Sequence, residues 1–322
     1  MKEIVLVPTY KRPEMLFYCL SLIRAIEPRI PIAVFPDRGT YNDKEFTEVM
    51  DSFDPEVTLA CVVPEHDYYG NTMNTMEAFR WAYNCGCERI FYVEDDVMVH
   101  WDFFKWHREI HEECEGLEIF ASMGWIFNRY APITTDVLFQ PWYYSVGTCF
   151  TREKLKLIVD HATPRYYKDM PGYIEKAFSG SSLNTVHQDI QHFEQDGLIQ
   201  RVMDRDRSQV VCRGMASCTH LGTFGYNKGW EQRDGFYGDA KTFEERLVKL
   251  SQFLADPYWR ASLFGREIVE REIGKELPPR LNKYLLRVGP YECEYQSELK
   301  PEQFPKRLRS VPRTPEMEIV VE

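Results

Sequence analysis

The chain has 322 residues, of which 44% are hydrophobic, 28% charged and 14% aromatic, and its formal charge at pH 7 is -11. This composition is typical of a globular protein and excludes an intrinsically disordered or a membrane-embedded chain. No run of about 18 uninterrupted apolar residues occurs, and residues 4–7 already read as a strand rather than as part of a signal peptide. We therefore expect a soluble, cytoplasmic protein without a membrane anchor.

The cysteines and the distribution of charge limit the function further. The nine cysteines form no Cys-x-x-Cys pair, which argues against a disulfide framework or a zinc site. Lys and Arg outnumber Asp and Glu over residues 259–313, so the C-terminal part of this acidic protein is locally basic. Such a segment can favour an anionic acceptor or partner, although it is more often an ordinary solvated face.

The first hundred residues alternate short β-branched runs with amphipathic stretches, which predicts βα units around a mainly parallel sheet. The predicted strands are residues 3–7, 31–35, 57–63 and 89–93, and the predicted helices are residues 13–26, 43–53 and 71–83. Ligands bind at the carboxyl ends of such strands. We therefore expect residues 8–12, 36–39 and 94–96 to meet in one crevice.

Downstream of residue 102 the pattern is that of a mixed sheet. The predicted elements are a helix at 103–114, strands at 117–127 and 142–150, a helix from 152, a long loop at 164–186, a helix at 186–196, a strand at 209–213, a glycine-rich flap at 214–229 and helix from 242. We expect one domain over residues 1–235, with a nucleotide-binding half (1–105) and an acceptor half (106–235). A mostly helical, locally basic extension (236–322) should follow.

Three consecutive carboxylates, Glu94, Asp95 and Asp96, follow the fourth predicted strand. Adjacent acids destabilise each other's ionised forms, and a divalent cation compensates them because hard oxygen ligands suit Mg²⁺, Mn²⁺ or Ca²⁺. A metal with few protein ligands keeps positions open for phosphate oxygens. The triplet alone also fits a solvated acidic turn.

Polar groups also follow the first two strands. Pro8, Thr9, Tyr10, Lys11 and Arg12 follow the first strand, where they place hydroxyl groups and two cations for a diphosphate or a nucleobase edge. Asp37 could accept a hydrogen bond from a base or from a ribose hydroxyl group. Taken singly, each segment also fits a simple turn.

In this order, the motifs resemble the metal-dependent nucleotide-sugar glycosyltransferases with the GT-A fold, most closely the N-acetylglucosaminyltransferase I type. The matching elements are Lys11-Arg12-Pro13, Asp37-Arg38-Gly39, Tyr68-Tyr69-Gly70 with Arg80-Trp81-Ala82, and Val93-Glu94-Asp95-Asp96 with Asp102-Phe103-Phe104. The resemblance covers roughly residues 2–230. It implies an α/β fold with a mixed, mainly parallel sheet flanked by helices. The implied activity is transfer of a hexosyl or N-acetylhexosaminyl group from a nucleoside diphosphate sugar, foremost a UDP-sugar, with Mn²⁺ or Mg²⁺.

The resemblance also implies roles for individual residues in the nucleotide site. Asp96 would bind the cation, and His220 would complete the metal or diphosphate site, although His220 fits a loop residue equally well. Glu94 and Asp95 would face the ribose and neighbouring groups. Asp37 would pair with the base, and the segment from Pro8 to Arg12 would lie against the nucleotide.

Further residues are implied for the sugar and the acceptor. Trp142, Tyr144, Gly147 and Thr148 would line the donor and acceptor pocket, for which a buried aromatic strand is an equal alternative. Asp189 would be the general base of an inverting reaction. The rival bases are Glu194 and Asp196.

Two other functions compete with glycosyl transfer. A sugar nucleotidyltransferase needs a glycine-rich loop for a triphosphate, and residues 8–13 contain no glycine. A non-catalytic sugar-binding module would be expected to lack the acids. The acceptor is open, with a glycan or a hydroxymethylated base in DNA as candidates, and so is the oligomeric state.

Overall fold

The structure is a computed structural model that describes residues 2–37, 39–53, 59–61, 70–125, 137–140, 142–179, 193–213, 216–222, 231–254 and 308–310. The strands are β1 Glu3–Thr9, β2 Ile32–Pro36, β3 Leu59–Cys61, β4 Arg89–Tyr92, β5 Val97–Val99, β6 Ile119–Met123, β7 Val137–Gln140, β8 Thr148–Thr151, β9 Gln209–Arg213, β10 Cys218–His220 and β11 Leu308–Ser310. The helices are α1 Pro13–Ile26, α2 Lys44–Met50, α3 Asn71–Asn84, α4 Phe103–Glu113, α5 Arg152–Val159, α6 Pro164–Lys168, α7 Met170–Ala177, α8 Gln195–Asp206, α9 Glu231–Tyr237 and α10 Phe243–Leu254. None of the helices within these ranges combines the length and the apolarity needed to cross a bilayer.

The described strands form a nine-stranded sheet in the order β11-β7-β9-β6-β8-β4-β1-β2-β3, and β10 pairs with β5 in a separate small sheet. The half around β1 is parallel: Leu6 aligns with Ala33 of β2 and with Tyr92 of β4. Strand β8 runs antiparallel to both β4 and β6, which makes the sheet mixed. The predicted α/β class, with a mixed, mainly parallel sheet flanked by helices, is confirmed.

The sheet is buried on both faces because successive side chains of a strand point to opposite sides. In β1, Val5 and Val7 pack into a cluster with α1 and α10, whereas Ile4 and Leu6 pack into a second cluster with α3, α5 and α8. All four side chains are at most 5% exposed. This two-sided burial explains the continuous apolar run that predicted the strand.

The predicted loop over residues 164–186 is wrong in its described part, because α6 and α7 occupy most of it. Thr163 accepts a hydrogen bond from the Tyr166 amide, and Asp169 accepts one from Gly172. Both helices carry a proline in their first turn. The polar residues and prolines that suggested a loop are therefore N-terminal capping signals.

The predicted strand over residues 142–150 is shorter than expected, because β8 includes only its C-terminal part. Gly147 has a φ of +61°, and this left-handed conformation interrupts the extended backbone. The predicted helix at 186–196 lies mostly outside the described residues, and α8 begins at Gln195.

The helices α9 and α10 pack against the first turn of α1. Tyr18 donates a hydrogen bond to the Leu247 carbonyl oxygen at 3.0 Å. Glu14 is fully buried and has Arg233 and Arg246 nitrogens 3.3 Å and 3.6 Å from its Oε1. These contacts hold the two C-terminal helices beside the loop that leads from β1 into α1. The predicted boundary between a domain over residues 1–235 and an extension over residues 236–322 stays a prediction.

Gly147 also permits the close approach of β10. A Cβ atom built on Gly147 would lie 2.6 Å from the Cys218 sulfur and 3.1 Å from the Phe103 ring. Any side chain at this position would therefore push β10 away from the sheet.

We expect Gly147→Ala to lower the free energy of unfolding by about 3 kcal/mol, because the left-handed backbone and the steric overlap both oppose it. The matched control is Gly116→Ala, where φ is +84° but nothing lies within 4 Å of the added methyl group. This control should cost only about 1 kcal/mol. Urea unfolding measures both, and equal losses would contradict the role of the Cys218 contact.

Candidate functional site

The carboxyl ends of β1, β2 and β4 meet at one edge of the sheet. The Asp37 amide donates a hydrogen bond to the Thr9 carbonyl oxygen at 2.8 Å, and the Val93 amide donates one to the Leu6 carbonyl oxygen at 3.0 Å. The loop after β1 and the acidic segment after β4 therefore lie side by side. The structure thus brings together the residues after these strands that the sequence analysis predicts for a nucleotide site.

Asp95 is the anchor of the loop that follows β1. Its fully buried carboxylate accepts hydrogen bonds from the Thr9 hydroxyl group at 2.7 Å, the Tyr10 amide at 3.4 Å and Arg12 Nε at 3.3 Å. Arg12 Nη2 donates to its other oxygen. Both oxygens of Asp95 are therefore engaged by this chain, rather than turned toward a ribose as the resemblance implies.

Glu94, Asp96 and His220 form the cluster that can hold a cation. One ligand atom of each lies within 4.8 Å of the others, and it is the only such group found among the described residues. The residue Asp96 is 4% exposed, yet its Oδ1 atom has no hydrogen-bond partner among the described residues. An orphaned buried carboxylate oxygen beside a second carboxylate and an imidazole fits a divalent cation. The mixed oxygen and nitrogen ligands favour Mn²⁺ over Mg²⁺.

The small sheet of β5 and β10 brings His220 to the acids. His220 is the register partner of Val97, and the Leu221 amide donates to the Asp96 carbonyl oxygen at 2.9 Å. The imidazole Nε2 lies 3.4 Å from Asp96 Oδ2. Within the predicted flap, His220 is thus held by strand pairing.

The charges of the cluster pull the pKa values of its members apart. Burial opposes ionisation of Asp96, but Arg12 and His220 outweigh it and hold the Asp96 pKa well below its usual range. Burial, together with the charges of Asp96 and Asp196, raises the pKa of Glu94 to about 8. For His220, burial lowers the pKa, but the hydrogen bond and charge of Asp96 raise it overall. The site therefore strongly attracts cations.

Two residues that the sequence analysis missed hold Glu94 in place. Tyr92 donates a hydrogen bond from its hydroxyl group to Glu94 Oε1 at 3.0 Å, and Thr75 lies 3.0 Å from the same hydroxyl group. Because the tyrosine donates to the acid, Thr75 donates to the tyrosine. Partners of this kind fix the orientation of metal ligands. In the sequence, the signal for this contact was the position of Tyr92 two residues before Glu94.

Asp196 lies in the first turn of α8, close enough to Glu94 for its charge to raise the Glu94 pKa. The Ser145 hydroxyl group lies 3.4 Å from its Oδ2 atom, whereas Oδ1 is buried without a hydrogen-bond partner among the described residues. Burial, and to a smaller degree Glu194, raises the Asp196 pKa to about 6. A half-buried carboxylate with one unused oxygen and this pKa is suited to accept a proton.

The residues expected to line the donor and acceptor pocket lie at different depths. Tyr144 is half-buried, and the charge of Asp196 contributes, after burial, to its raised pKa. Trp142 is 7% exposed, and Thr148 is fully buried in β8. Gly147 packs beneath β10. The charge of Asp196 thus acts on Tyr144, whereas Trp142 and Thr148 are buried.

The remaining expected residues are placed as follows. Pro8 is a buried residue of β1, aligned with Phe35. Tyr10 is half-buried, with the Lys11 ammonium group 5.1 Å from its ring centroid. Asp37 is 7% exposed at the end of β2. Asp189 lies outside the described residues.

No family model matches the sequence, and no curated protein matches it. Among solved structures, the mannosyltransferase PcManGT from Pyrobaculum calidifontis, in complex with GDP-Man and Mn²⁺, is 13% identical, with a TM-score of 0.45 over 88% of this chain and 67% of that chain. S. aureus TarS in complex with UDP-GlcNAc is 14% identical, with a TM-score of 0.43 over 79% of this chain and 72% of that chain. The 4-diphosphocytidyl-2C-methyl-D-erythritol synthase from Anaerococcus prevotii is 10% identical, with a TM-score of 0.40 over 66% of this chain and 87% of that chain. At these identities the likeness concerns the fold alone.

The raised pKa of Asp196 predicts a pH-dependent stability. Between the ordinary value of 3.8 and about 6, the folded protein holds a proton on Asp196 that the unfolded chain releases. The stability gained from this carboxyl group is therefore fully present below the lower value and is lost as the pH rises through the higher one. The non-titrating variant Asp196→Asn should gain about 2 kcal/mol relative to the wild type between pH 4 and pH 7.

Urea unfolding of the two proteins at both pH values measures this gain. Asp160→Asn is the control, because Asp160 is exposed and pairs only with Lys156 four residues before it among the described contacts. A difference between Asp196→Asn and wild type that stays constant with pH would contradict the buried, protonated state.

Proposed function

We propose that this protein is a metal-dependent glycosyltransferase that moves a sugar from a nucleoside diphosphate sugar to an acceptor hydroxyl group. The observation that carries the proposal is the cluster of Glu94, Asp96 and His220 beside Arg12, at the strand ends where the parallel sheet binds ligands. The unpartnered oxygen of Asp96 is suited to complete the coordination of a divalent ion. The GT-A resemblance of the ordered motifs supports the same activity.

Each residue of the site then has a chemical role. Glu94, Asp96 and His220 would hold Mn²⁺ or Mg²⁺, which when bound supplies a Lewis acid for the leaving diphosphate. The Arg12 guanidinium matches the geometry of phosphate oxygens. Tyr92 keeps Glu94 oriented through its hydroxyl group. Asp37, at the end of β2, is the candidate partner of the base.

We assign the general base to Asp196 rather than to Asp189. Asp196 is half-buried, its charge acts on Glu94, and its buried Oδ1 atom has no hydrogen-bond partner among the described residues. It would accept the proton of the acceptor hydroxyl group as that oxygen attacks the anomeric carbon, on the side opposite the departing diphosphate. This arrangement corresponds to an inverting reaction. Asp189 stays a prediction from the sequence.

The resemblance to the N-acetylglucosaminyltransferase I type favours a UDP-sugar and transfer of a hexosyl or N-acetylhexosaminyl group. The acceptor would be a glycan or a hydroxymethylated base in DNA. For DNA, the locally basic segment at residues 259–313 would contact phosphates, while the net charge of -11 opposes such binding.

We expect Asp96→Ala to abolish Mn²⁺ binding and Mn²⁺-dependent nucleotide binding, because it removes one of the three predicted ligands and leaves only Glu94 and His220. His220→Ala should weaken Mn²⁺ binding by at least about tenfold. Isothermal titration with Mn²⁺, and then with UDP and GDP in its presence, measures these changes. His161→Ala is the control, because His161 contacts Tyr173 instead of the acids. Unchanged Mn²⁺ affinity in Asp96→Ala would remove the metal assignment.

We expect Asp196→Asn to lower sugar transfer by about 10²- to 10⁴-fold while leaving donor binding within about threefold, because only proton removal is lost. Asp189→Asn, assayed in parallel, should transfer normally. The assay follows nucleoside diphosphate release from a panel of UDP- and GDP-sugars with glycan and hydroxymethylated DNA acceptors. A loss confined to Asp189→Asn would move the base to that residue. Pyrophosphate release from a sugar 1-phosphate and a nucleoside triphosphate would instead identify a nucleotidyltransferase.

A further inference from the structure

The guanidinium group of Arg12 bridges two carboxylates of the acidic segment. Its Nη2 and Nε atoms donate to Asp95, and its Nη1 atom donates to Asp96 Oδ2 at 2.6 Å. The Arg12 side chain is only 16% exposed, so these ion pairs are largely shielded from water. Arg12 is therefore the resident positive charge of the site.

The contact with Asp96 conflicts with a divalent ion. Asp96 Oδ2 is shared between Arg12 Nη1 and His220 Nε2, and Asp96 is the central member of the cation cluster. A guanidinium group and a divalent ion on the same buried carboxylate repel each other strongly, because little water separates them. Asp95, in contrast, lies outside the cation cluster and can retain Arg12.

A nucleoside diphosphate removes this conflict. It brings negative oxygens next to the cation, and a guanidinium group binds phosphate oxygens through paired hydrogen bonds. The main chain just before Arg12 is unusual, since Lys11 is a non-glycine residue with a φ of +52°. That conformation places the start of α1, and with it the Arg12 side chain, directly over the acids.

Resting on the proposed function, we propose that Arg12 acts as a cation surrogate for the Glu94–Asp96–His220 cluster. When the divalent ion binds, the Nη1 end of Arg12 leaves Asp96 for the donor diphosphate, while the Nε end stays on Asp95. The ion and the nucleotide therefore bind with positive coupling, and Arg12 increases the coupling that the attraction between the ion and the diphosphate already supplies. By linkage, each ligand raises the affinity for the other by the same factor.

The test measures Mn²⁺ binding by electron paramagnetic resonance, without and with saturating UDP or GDP. In the wild type, the diphosphate should tighten Mn²⁺ binding by at least about tenfold. In Arg12→Gln, Mn²⁺ alone should bind at least about tenfold more tightly than in the wild type, and the factor by which the diphosphate tightens Mn²⁺ binding should fall by at least about threefold. Arg108→Gln is the control, because Arg108 pairs with Glu3 and Glu27 away from the cluster.

A second variant guards against misfolding of Arg12→Gln. Arg12→Lys keeps the charge but cannot bridge both carboxylates, so Mn²⁺ alone should bind with an affinity between those of the wild type and Arg12→Gln. Equal Mn²⁺ affinity in the wild type and in the folded Arg12 variants overturns the surrogate role and leaves the metal site intact. Absence of Mn²⁺ binding in every protein overturns both the metal site and this inference.

Discussion

The placement of three consecutive carboxylates at the end of β4, with Asp95 and Asp96 buried and Glu94 half-buried, is the constraint on which the rest of the site depends. Carboxylates taken out of water require compensating charges and hydrogen bonds. Asp95 obtains them from Thr9, Tyr10 and Arg12, and so ties the loop after β1 to the end of β4. The positions of α1 and of the crevice follow from this connection.

The same burial shifts the pKa values of the acids in the site and lowers the stability of the folded protein. Glu94 and Asp196 both have raised pKa values, mainly because burial disfavours their charged forms. Asp96 and Asp196 each keep a buried oxygen without a partner among the described residues. A fold optimised only for stability would satisfy such oxygens or replace them with apolar atoms. Their retention, together with the left-handed Lys11, is typical of a ligand-binding site.

Elements with strong local signals were predictable from the sequence. Helix α1 begins at Pro13 and ends at Ile26 as predicted, because proline at the first helical position and a long apolar face leave little choice. The predicted strand at 209–213 also has the observed bounds. The helices α6 and α7 were missed, because capping residues and turn residues are the same amino acids. The shortened β8 depends on the backbone angle of Gly147, which composition does not reveal.

The sequence by itself determined the α/β class, the polar strand ends and the chemistry of the acidic segment, because these follow from periodicity and residue type within short stretches. Only the tertiary structure decided which partner each acid contacts. Asp95 proved to be the anchor of Arg12, whereas Glu94 joined Asp96 and His220. These assignments rest on the pairing of β10 with β5 and on residues more than 80 positions apart in the chain. The strand-end pattern predicts that the segments after β1, β2 and β4 meet, but the individual contacts between them form only when the sheet closes, and no local pattern encodes those contacts.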